Sequence, residues 1–154
     1  MKPYIRNLLD FAEEAGVKVH KVSHKQFNEN QNIQHAPFAS HIGIIWNTKE
    51  LFYVSDAQWP AMVHELGHLI ATKDFPVHGK CNEFDFFGWE IALVREIGAP
   101  IDAWLKDNEE YGVEGSQTIK DLSVLQFHKV CVERLERALE LGILNEACYP
   151  LAVR

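Results

Sequence analysis

Val63-His64-Glu65-Leu66-Gly67-His68-Leu69 is the stretch from which the rest of the chain can be read. It carries the spacing His-Glu-x-x-His. On a helix, residues i and i+4 stand one above the other on the same face. His64 and His68 can therefore offer two imidazole nitrogens to one metal ion. Glu65, beside them, can take a proton from a water held at that ion. This is the donor arrangement of zinc-dependent hydrolysis.

The surroundings support a helix with two distinct faces. At about 100° per residue, Met62, Val63, Leu66, Leu69 and Ile70 fall in one arc, and Ala61, His64, Glu65 and His68 fall opposite. The spacing thus predicts a helix that buries one side and turns its histidines elsewhere. Gly67 costs up to about 1 kcal/mol in a helix interior relative to alanine, which points to close packing there.

Upstream, Tyr4, Ile5, Leu8, Leu9 and Ala12 recur at helical spacing, and Gly16 closes a first amphipathic helix. Val17 to Val22 reads as a short strand, flanked by the surface histidines His20 and His24. The polar run Asn28 to Pro37 reads as a loop. His41–Trp46 and Leu51–Val54 are β-prone runs joined by Asn47-Thr48-Lys49-Glu50, the pattern of a hairpin. Ser55-Asp56 offers a helix cap, and Pro60 suits a first helical turn.

Downstream, a second helix is predicted from about Asn82 to Ile97, before Gly98 and Pro100. Ile101 to Lys106 is a short helical piece, and Glu109 to Ser116 an acidic loop. A long last helix is expected over about 118–141. Its inner stripe would be Leu122, Leu125, Val132, Leu135 and Leu139.

Catalytic zinc usually keeps three protein ligands and one open position. The helix after the loop offers two carboxylates for the third place, Glu83 and Glu90, two turns apart on one face. Both fall within an apolar stripe of Phe86, Phe87, Ile91, Val94 and Ile97. A buried carboxylate is costly without a partner, and a metal ion or a metal-bound histidine supplies one. The residues alone leave the choice between the two open. Cys81 is a weaker thiolate candidate. His128 reads as a core histidine near the apolar side of the last helix, and Tyr53, Tyr111 and Tyr149 are possible oxyanion donors.

His64-Glu65-Leu66-Gly67-His68, the hairpin before it, and Glu83-Phe84-Asp85-Phe86-Phe87-Gly88-Trp89-Glu90-Ile91 together resemble the ImmA/IrrE metallopeptidases. Glu83, Asp85, Phe87, Gly88, Glu90 and Ile91 match that family's second motif in register. The resemblance implies His64, His68 and Glu83 as ligands of Zn²⁺, Glu65 as the catalytic base and Glu90 as a supporting residue. It also implies a protein or peptide substrate, such as a basic helix-turn-helix transcriptional repressor. The alternative is a non-cleaving zincin-fold accessory protein of a phage or mobile element.

At 154 residues and 47% hydrophobic content, the chain suggests a single domain spanning 1–154 with ample material for a core. The fold expected is α+β: a compact zincin-like domain with a small antiparallel sheet beside the His-Glu-x-x-His helix and the following Glu helix. The net charge of −7 argues against nucleic acid as a direct partner. Three cysteines in no regular framework suit a reducing, cytoplasmic setting. No apolar run approaches the roughly 20 residues needed to span a membrane.

Overall fold

The computed structural model describes residues 1–35, 41–72, 87–110 and 117–142. Its contacts fall into two compact units, Met1–Ile70 and Ala71–Arg154. Helices and a small three-stranded sheet make a mixed α and β structure.

The first unit opens with helix α1, Pro3–Glu14, which starts on a proline and buries Ile5, Leu8 and Ala12. The chain then turns at Gly16, whose φ of 85° is readily available only to glycine. Strand β1, Lys18–Lys21, follows. Next comes a helix that the sequence reading passed over: α2, His24–Glu29. Its signal was present in Ser23-x-x-Gln26. The Ser23 hydroxyl accepts the Gln26 N–H, and the Gln26 side chain accepts the Ser23 N–H.

Strands β2, Ile42–Ile45, and β3, Glu50–Tyr53, form the expected antiparallel hairpin, with Gly43 opposite Phe52 and Ile44 opposite Leu51. The sheet as a whole is mixed, which corrects the antiparallel expectation. Strand β1 pairs with β3 in parallel, Val19 against Leu51, so the strand order is β1-β3-β2. The parallel pairing arises because the chain returns through α2 and β2 before laying β3 beside β1. The outer side of β2 is occupied at one point: Gln34 and Ile44 exchange both backbone hydrogen bonds, at 2.7 and 2.9 Å.

Helix α3, Trp59–Leu66, packs on β2, β3 and α1. Its buried residues Met62, Val63 and Leu66 are fully inaccessible to solvent, as the apolar arc required. A smaller cluster, Phe27, Ile33 and Phe52, lies beneath α2. The rings of His35 and His41 pack around Phe27, and His20 stacks on Phe52 at 4.7 Å between ring centroids. His20 also meets Glu50 at 2.9 Å, so it is a half-buried partner of the sheet rather than a plain surface residue.

The second unit contains α4, Phe87–Ile97, α5, Ile101–Asn108, and α6, Val124–Glu140. Gly98, at φ 77°, separates α4 from α5. The last helix begins later than the expected 118. Ile119–Asp121 is a single 3₁₀ turn, Leu122 is extended at ψ 143°, and α6 starts afresh from a Ser123/Gln126 capping box. Its buried face also differs from the expected stripe. Phe127, Cys131 and Ala138 are buried; of the expected stripe Leu122, Leu135 and Leu139 are half-buried, while Leu125 is 77% and Val132 38% exposed. The cause is the partner: α6 packs on α4 where Gly88 lies, and a Cβ at Gly88 would meet Leu135 Cδ2 at 3.3 Å and the Cys131 carbonyl at 3.5 Å. Glycine at that point lets the backbone of α6 come close and selects the side of α6 that is covered. No helix among the described residues is long and apolar enough to cross a membrane.

Candidate metal centre

The approach to α3 is built by hydrogen bonds local in sequence. After β3, the Ser55 hydroxyl accepts the Ala57 N–H at 3.2 Å. The Gln58 side-chain oxygen accepts the Val54 and Ser55 N–H groups at 3.2 and 3.1 Å. One 3₁₀ turn, Asp56–Gln58, then leads into α3 with Pro60 in its first turn. The ring of Trp59 meets Tyr4 of α1 edge-on at 5.5 Å. The helix is thereby held at its start by the sheet and at its side by α1.

His64 and Glu65 lie in the last turn of α3. At Gly67 the hydrogen-bond pattern widens, and Gly67–Ala71 forms a π-helical turn that contains His68. The sequence pattern predicted an unbroken α-helix to Ile70; periodicity carries no signal for this change. Such turns cost hydrogen-bond geometry and occur frequently at functional sites.

Three donors converge here. Ligand atoms of His64, Glu65 and His68 all lie within 4.8 Å of one another, the one such group of three among the described residues. The two imidazoles stand nearly perpendicular, 83° between planes and 4.7 Å between centroids, with Nε2 facing Nε2 at 3.1 Å. At that separation either one ring donates its N–H to the other or both nitrogens face a shared cation. Two nitrogens bound tetrahedrally to zinc at 2.0–2.1 Å would sit about 3.3–3.4 Å apart, so the observed separation is close to that of two ligands of one such ion. His68 is only 8% exposed, whereas His64 and Glu65 are partly open to solvent. The site therefore has a sheltered side and an accessible one. Imidazole and carboxylate are the donor types that borderline divalent ions such as zinc take.

Of the other residues the sequence singled out, Glu83, Cys81, Tyr111 and Tyr149 lie outside the described residues. Glu90 is in α4 and completely buried, as its place in the apolar stripe required. Its Oε1 accepts a 3.2 Å hydrogen bond from the indole N–H of Trp104 on α5. Sequence reasoning missed Trp104. The clue was that a buried indole needs an acceptor, and a buried carboxylate needs donors. Tyr53 is buried on β3, and burial followed by the negative charge of Asp56 pushes its phenol above the ordinary range. His128 is exposed on α6, which corrects its reading as a core histidine. It lies on the uncovered side of that helix.

Searches against models of known protein families, against curated proteins and against solved structures find no significant match.

Proposed function

We propose that the protein is a zinc-dependent endopeptidase, selective for a particular intracellular protein such as a helix-turn-helix repressor. The observation that carries this reading is the convergence of His64, Glu65 and His68, with the two Nε2 atoms 3.1 Å apart. A site that only stabilised the fold would have no use for a carboxylate base next to the ligands.

In this reading His64 and His68 would hold the ion, and the resemblance to the ImmA/IrrE peptidases implies Glu83 as the third ligand. When bound, Zn²⁺ supplies Lewis acidity toward water and toward the scissile carbonyl. Glu65 holds the attacking water by hydrogen bond and takes its proton as the oxygen adds to the carbonyl carbon. The same carboxyl then gives that proton to the leaving nitrogen as the C–N bond breaks, yielding one new carboxyl terminus and one new amine. Glu90 and Trp104 keep α4 and α5 registered. The Gln34 bridge on β2 leaves less of that edge for strand addition than a bare hairpin would offer.

Glu65→Gln tests the assignment, because it keeps size and hydrogen-bonding reach and removes the base. The variant should fold and take up zinc like the parent and lose about 10²–10⁴-fold in cleavage. The assay is co-expression with candidate basic repressors, followed by mass spectrometry for new termini. Equal biological effects of parent and variant would replace hydrolysis with a non-cleaving binding role.

A further inference from the structure

We propose that His24 and His41 form a second metal site, a two-imidazole clamp for a divalent transition-metal ion, with Cu²⁺ its tightest ligand. His24 is the first residue of α2, directly after the Ser23 cap, and His41 stands immediately before β2. Their rings meet at 4.3 Å between centroids and 89° between planes. His64 and His68 show nearly the same arrangement, at 4.7 Å and 83°. Edge-on packing of two aromatic rings gives this angle without any ion. The angle therefore does not decide the matter; one ring nitrogen does.

His41 Nδ1 is enclosed by protein and has no hydrogen-bond partner. Such an atom is costly, because it has left water and gained nothing in return. Native structures rarely keep one unless an ion, a water or a function answers it. The backbone adds a second cost at the same residue. His41 has φ 58°, in the left-handed region, where glycine or asparagine sits with less strain. A turn alone would be served better by either. A cation at Nδ1 gives the imidazole a reason to be there and its nitrogen a partner. Phe27 is buried and packs on the His41 ring at 5.5 Å, which holds that donor in place. His24 is exposed, so an ion can enter from its side. His35 meets the same phenyl ring at 5.5 Å, but the three imidazoles do not form a group of mutually close donors. Solvent therefore fills the other positions. Imidazole suits zinc, nickel and copper, and Cu²⁺ binds nitrogen sites most tightly of the series. With only two protein ligands, the pair takes zinc well above the concentrations that fill the centre on α3.

The test uses the full chain carrying His64→Ala and His68→Ala, so that the centre on α3 does not contribute. The outcome is then independent of whether that centre hydrolyses peptides. Substoichiometric Cu²⁺, which is paramagnetic, should broaden the ring signals of His24 and His41 before those of the other imidazoles. Calorimetric titration should show one tight equivalent. Losing even an outer partner of a metal ligand costs about 10–100-fold in affinity. His24→Gln and His41→Asn, each made in that background, should therefore weaken Cu²⁺ binding by at least about 10-fold. Asparagine accepts the left-handed backbone, so His41→Asn should keep the circular dichroism of the background protein. His35→Ala should bind Cu²⁺ as the background does. Broadening that begins at other histidines, His24→Gln and His41→Asn proteins that bind as tightly as the background, or an equal loss in His35→Ala would each overturn the proposal.

Discussion

The indole Nε1 of Trp104 donates a 3.2 Å hydrogen bond to Oε1 of Glu90, and both side chains are fully buried. The ring of Trp104 also meets Phe87 edge-on at 5.4 Å, and its carbonyl accepts the Asn108 side-chain N–H at 2.8 Å. One aromatic side chain on α5 thus ties a carboxylate on α4 to the packing of the second unit.

Trp104→Phe keeps most of the apolar ring and removes the donor to Glu90. An intramolecular hydrogen bond contributes about 0.5–1.5 kcal/mol net, so the variant should unfold at lower urea with a loss of at least that order. Glu90→Gln keeps an acceptor oxygen and should cost less. Equilibrium urea curves give the ranking, and a Trp104→Phe midpoint equal to the parent's would show that the bond contributes nothing.

Zinc should stabilise the first unit through His64 and His68. A ligand that binds only the folded state adds about 2.7 kcal/mol at a free concentration 100 times its dissociation constant. Melting of chelator-treated protein should therefore rise on adding zinc, and His68→Ala should remove the rise. An identical shift in His68→Ala would place the binding elsewhere.

Gly43 sits where the segment around Gln34 crosses β2. A Cβ there would run into Ile33 Cγ2 and come within 2.7 Å of the Gln34 carbonyl oxygen. Backbone cannot retreat as a flexible side chain can, so Gly43→Ala should force the Gln34 bridge off Ile44. Overpacking of this sort costs about 1–3 kcal/mol. Hydrogen exchange should show faster loss of protection at the Gln34 and Ile44 amides, and unchanged protection would contradict the close approach.

Cys131 is buried beneath α4, and desolvation, assisted by the nearby charge of Glu90, pushes its thiol up to about 12. The reactive species is the thiolate, so the native protein should resist iodoacetamide at Cys131 at pH 8 and react fully once unfolded. The raised folded-state value has a fixed sign in stability. Its contribution is intact below the ordinary value of 9.0 and is lost as pH rises toward 12, where only the unfolded chain is readily ionised. Cys131→Ala should flatten that alkaline decline. Peptide mapping with a timed alkylation pulse checks the first outcome, and urea curves between pH 8 and 11 check the second.

Local pattern determined a good part of this protein. The apolar spacing of α1, the alternation of the hairpin, the two-faced helix around His64 and the inward set of Glu90 all depend on neighbours within a few residues. The i, i+4 geometry of His64 and His68 likewise follows from the helix alone. Tertiary structure decided what depends on residues far apart in the chain. The parallel pairing of β1 with β3 joins Val19 to Leu51, and no local pattern specifies which strand is the neighbour. The π turn at Gly67 leaves the apolar spacing intact, so periodicity cannot register it. Two faces of α6 are apolar enough to be buried, and the wheel favours the stripe of Leu125 and Val132. The close approach permitted by Gly88 buries Cys131 and Ala138 instead, because helix packing rewards the surface that comes nearest, not the one richest in leucine.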